Sequence, residues 1–127
     1  MAYEAGEFFP GARIQQVTAT ADISKGAVVT VTPAAPPTAA PCAEDGDGPF
    51  AVAIEAIADG KKGRVVVKGE VAVDCSDNCY GSAVVTGSGG KVKVCDTDPS
   101  GNWIKPLGRM TVGGADTAVG VVDLGGF

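Results

Sequence analysis

The side chains able to do chemistry in this 127-residue chain are few, and four cysteines, Cys42, Cys75, Cys79 and Cys95, stand out first. Four thiolates can hold zinc, but structural zinc sites draw their ligands from closely paired knuckles. Here a single C-x3-C pair stands with two widely separated singles, so no metal is expected. Two readings stay open. The thiols form disulfides after exposure to oxidising conditions, or they remain reduced and buried as small hydrophobes. Nucleophilic use is disfavoured, because Asp74 and Asp77 flank Cys75 and oppose a thiolate.

Acid–base chemistry lacks its usual instrument. The chain has no histidine, which removes Ser-His and Cys-His pairs and any imidazole base. Fifteen acidic residues are present, yet they fall mostly in turn-like stretches where solvation is the default. Asp96-Thr97-Asp98-Pro99-Ser100-Gly101 has the oxygen spacing of half a calcium loop, but Leu107 stands where the closing bidentate carboxylate belongs. Gly87-Ser88-Gly89-Gly90-Lys91 has the wrong spacing for a phosphate loop and is followed by Val92 rather than Ser or Thr. No enzyme and no cofactor are expected.

Net charge is −5, and the ten Lys and Arg are scattered with only Lys61-Lys62 adjacent. No basic stripe exists to neutralise phosphates, so nucleic acid is not an expected partner. The apolar runs are too short to span a bilayer. The first residues, MAYEAGEFFPG, are acidic and aromatic rather than basic then apolar, unlike a secretory signal. Synthesis and first folding are expected in a cytoplasm.

These residues must be positioned by strands. Nineteen glycines and eight prolines interrupt the chain every few residues, and Val, Thr and Ala fill the gaps, which denies any long helical period. The expected fold is all-β: a small single-domain β-barrel or β-sandwich over 11–127, preceded by an extended arm over 1–10. The pattern predicts strands over Ala12–Thr20, Ala27–Thr32, two runs within Pro49–Asp74 joined by a tight connection, Ser82–Thr86 and Lys91–Cys95 as a hairpin about Gly87-Ser88-Gly89-Gly90, Trp103–Val112 and Thr117–Leu124. Gly69 interrupts the second run of the central pair and predicts a bulge or bend at Lys68-Gly69-Glu70. Pro33–Pro49 (PAAPPTAAPCAEDGDGP) shows no alternation and reads as a long Pro-rich, acidic surface loop, an insertion. Tyr3, Phe8 and Phe9 crowd the arm. They either dock it on a neighbour or cap the chain's own core.

The order of these pieces resembles a family of small β-rich tailed-phage head proteins that decorate or cement the capsid exterior. The matching stretches are Gly11-Ala12-Arg13-Ile14, then Ile23-Ser24-Lys25-Gly26-Ala27-Val28-Val29. Ala51 to Gly63, Val65 to Val71 and Pro106-Leu107-Gly108-Arg109 follow. The resemblance covers most of the chain outside the Pro-rich loop and the cysteines. It implies a capsid-stabilising structural protein on the virion exterior, with the major capsid protein as partner and a homo-oligomer, a trimer, as its form. Tyr3, Phe8 and Phe9 are then the expected capsid or subunit contacts. A carbohydrate- or host-surface-binding β module using Trp103 and Tyr80 is the competing expectation.

Overall fold

Several runs are apolar at consecutive positions, among them Val28-Val29, Val65-Val66-Val67 and Val121-Val122. A strand alternates its side chains between two faces, so such runs require cover on both. The computed structural model supplies that cover. It describes residues 4–42, 49–75, 83–86, 91–94, 108–112 and 119–124, and among the described residues there is no helix.

The strands are β1 (Arg13–Ala19), β2 (Val28–Thr32), β3 (Thr38–Pro41), β4 (Phe50–Ala53), β5 (Lys62–Asp74), β6 (Ala83–Thr86), β7 (Val92–Val94), β8 (Gly108–Val112) and β9 (Val119–Leu124). The first five close a barrel. β1 lies antiparallel to β5, β5 to β4, β4 to β2 and β2 to β3, and β3 returns parallel to β1 through Thr18↔Thr38 and Ala19↔Ala39. The far half of β5 leaves the barrel and carries an antiparallel sheet in the order β5-β9-β8-β6-β7. A bridge between Cys75 and Val92 brings β7 back beside the end of β5. The barrel alternative of the all-β expectation is the correct one.

Two cores explain the consecutive valines of β2 and β5. Val17, Val29, Val31, Ala51, Ala53 and Val65 fill the barrel interior. Their chain neighbours Val28, Val52 and Val66 point outward, where Val71, Val73, Met110, Val122 and Leu124 of the second sheet meet them. The largest fully buried side chains are all valines. Each such burial contributes about 1.5–3 kcal/mol relative to exposure.

β5 serves both cores through one irregularity. Ile14 faces Val66 while Arg13 faces Lys68, which leaves Val67 without a partner on β1. This extra residue shifts the alternation by one, so that Val66 and Val71 reach the same core despite odd spacing. Gly69 sits just beyond, at φ 102°, where a Cβ would lie 2.8 Å from the Ala12 Cα. Positive φ and close backbone approach both favour glycine. The bulge thus falls at Val67, one residue before the expected Lys68-Gly69-Glu70 interruption, and Gly69 supplies the positive φ just beyond it.

Two expectations are corrected. The Pro33–Pro49 stretch is not simply a surface loop: β3 lies within it and is the strand that closes the barrel. Prolines flank Thr38-Ala39-Ala40 without interrupting it, and small alanines hide the alternation between buried Ala39 and half-buried Ala40. The link between β4 and β5 is also longer than a tight turn. It folds inward so that Ile57 pairs with Ile23 through reciprocal backbone bonds of 2.8 and 2.9 Å.

Candidate functional site

The residues before β1 are held on the body by backbone pairing. Gly6 N–H donates to the Ala72 carbonyl at 2.8 Å, Ala72 N–H donates to the Glu7 carbonyl at 2.8 Å, and Phe9 N–H donates to the Glu70 carbonyl at 3.3 Å. Phe8 bridges Val71 in antiparallel fashion. Lys25 Nζ reaches Glu4 Oε1 at 2.9 Å and holds that carboxyl below its ordinary range, through the hydrogen bond first and the charge second. The stretch from Glu4 to Phe9 thus behaves as an added edge strand of β5.

This placement separates the three arm aromatics. Phe8 projects on the face of β5 that carries Val71, yet it remains 44% exposed and takes no part in either core cluster. Phe9 is half-buried on the opposite face. Tyr3 lies outside the described residues, as do Cys79, Cys95, Tyr80 and Trp103. Ile14, paired with Val66 one strand position along, is 38% exposed. Phe8 and Ile14 are the large exposed hydrophobics among the described residues, and both border the second core on one face.

The two described cysteines belong to that same core. Cys42 is a buried free thiol whose N–H donates to the Val28 carbonyl at 3.0 Å. Cys75 is half-buried and packs against the cluster. Cys42 is packed there as a small hydrophobe would be.

The two mouths of the barrel differ. One is stoppered by the Ile23–Ile57 pair, 3% and 2% exposed, with the Ile57 side chain seated so close over Gly63 that a Cβ there would collide with it. The other is open. Gln15, Val31 and Val67 line its floor and Pro33, Pro37 and Pro49 its rim, around a cup of about 390 Å³. Its lining is mostly apolar, and Gln15 presents an amide with no described partner. The composition of this cup was not legible in sequence, because its residues come from four separate stretches.

Arg64 donates to Glu55 Oε2 from its backbone N–H at 2.8 Å and from Nε at 3.2 Å, and the side-chain bond leads in holding Glu55 below the usual carboxylate range. Among the described residues no three His, Cys, Asp or Glu side chains form a group that could hold a metal ion.

The fold itself has a known counterpart. It is similar to the head fiber gp8.5 N base of bacteriophage phi29, with a TM-score of 0.64 and 15% identity, covering 88% of this chain and 92% of that one. At that identity the likeness concerns the fold. No family model matches the chain, and no curated protein matches it in sequence.

Proposed function

We propose that this chain is a non-catalytic structural protein of a tailed-phage head, bound to the outer surface of the capsid lattice and stabilising it. The observation that carries this reading is the likeness, over nearly the whole of both chains, to a phage head fiber base. The order of motifs that resembles the decoration-protein family points to the same particle. Phe8, held exposed at the edge of a body of paired strands, supports a surface role. Many copies engaging a repeating lattice gain stability by avidity even when each contact is weak. The partner in this reading is the major capsid protein, and the assembly is a homo-oligomer, with a trimer on local threefold axes the arrangement to test first.

The test is a quantitative protein census of particles purified from the source on a density gradient. Hundreds of copies in a fixed simple ratio to the major capsid protein are expected. A few tens of copies would instead favour a fibre attachment role at restricted positions. Protein left soluble in the lysate, with none on particles, overturns the reading.

A further inference from the structure

The geometry points to the open barrel mouth as a binding site for an acidic, extended protein segment that inserts one apolar side chain into the cup. This goes beyond the head-surface reading and stands or falls independently of it.

The cup has the composition of a recognition pocket: an apolar floor and rim with few polar groups. Val31 and Val67 form its floor with Gln15, and Phe50 also lines it. The Gln15 amide is turned to the barrel side, opposite Val65 in the ladder, and is engaged by no described residue. It is free to donate to and accept from a guest backbone. The rim prolines Pro33, Pro37 and Pro49 have no N–H to offer, so they present apolar rings without competing for that backbone.

The charge at the lip selects the guest. Arg13 lies two residues before Gln15 on β1 and so shares its face, one step further out. Its ladder partner is Lys68, and both are exposed. Neither takes part in an ion pair among the described residues. Like charges directly opposite each other on adjacent strands destabilise a sheet. In a chain of net charge −5, two unneutralised cations face each other beside an apolar cup. A carboxylate on the guest would sit between them and remove the repulsion. An acidic segment with an apolar neighbour fits cup, amide and lip together, whereas a simple anion leaves the cup unused.

The test uses the purified full chain, immobilised and challenged with a random heptapeptide display library. Enriched sequences should pair Asp or Glu with an apolar residue, and a synthetic peptide of the leading sequence should bind more weakly as salt is raised. Binding should fall about tenfold or more in Arg13→Ala/Lys68→Ala, and should be blocked by Ala34→Trp at the exposed rim. The Arg13→Ala/Lys68→Ala variant should unfold at the same temperature as the native chain or higher, an outcome that a purely structural role for the two cations does not give. Absence of enrichment, enrichment of neutral or basic sequences, or binding by either variant as tight as by the native chain overturns the proposal. So does tighter binding of a short single-stranded DNA that is lost in the same variants, which would assign the lip to phosphate.

Discussion

Single residues set the local geometry on which the two cores depend. Gly69 is the sharpest case, because its φ of 102° and the 2.8 Å approach to the Ala12 Cα both penalise a side chain. Gly69→Ala is expected to cost about 2 kcal/mol, read as a lowered midpoint in urea with an unchanged slope. Cys42 tests the second core: buried and free, it should react with a disulfide reagent only as the chain opens, and Cys42→Ser should cost about 1–3 kcal/mol by burying a hydroxyl. Charge matters less at this scale. Glu55 has a depressed folded pKa, so its bond to Arg64 contributes stability above the unfolded carboxylate pKa and loses it as pH falls through the folded value. The pair is exposed and screened, so Glu55→Gln should cost at most about 0.5 kcal/mol at neutral pH, with the difference from the native chain vanishing in acid. Thermal melts of both proteins across that pH range check it.

At the level of elements, β3 decides whether the barrel closes. Ala39 lies in the barrel interior and Ala40 faces the other way, half-buried. Ala39→Asp should therefore prevent folding at moderate temperature, since an unpaired carboxylate cannot be buried there. Ala40→Asp should be tolerated to within about 1 kcal/mol. A stretch that were only a solvated loop would accept both changes alike, so circular dichroism of the pair separates the two descriptions. The edge strand before β1 gives the companion experiment. Removing residues 1–9 strips three backbone bonds from β5 and uncovers Val71 and Ala72, so the truncated chain should melt lower than the native one. Phe8→Ser should leave the melting temperature nearly unchanged, because the ring is 44% exposed and outside both cores. Particle binding by Phe8→Ser, rather than by the truncation, is then the clean test of the aromatic contact.

For the molecule as a whole, the proposed head-surface role makes a prediction about particles. Ring closure pairs β1 with β3 at Thr18 and Ala19, which covers part of the strand edge that would otherwise favour edge-to-edge aggregation at high local concentration. The expected outcome is that particles carrying the protein survive heating or low salt better than particles lacking it, and that adding the purified chain back restores the difference. Equal survival of both particles would leave the protein bound without stabilising.

The sequence by itself determined the all-β class, because frequent glycines and prolines forbid long helices and the Val and Thr runs have strand period. It also located most strands, the hairpin of β6 and β7, and the bulge near Gly69, since each depends on neighbours along the chain. Only the tertiary structure decided the rest. That Val66 and Val71 of β5 share one core despite their odd spacing depends on a bulge set by pairing with β1. That a Pro-rich stretch closes the barrel depends on β1 and β2 both needing a neighbour, which no local pattern records. The Arg13–Lys68 lip and the cup beside it exist because β1 meets β5 from far along the chain. Contacts of that kind are fixed by global packing rather than by composition or period.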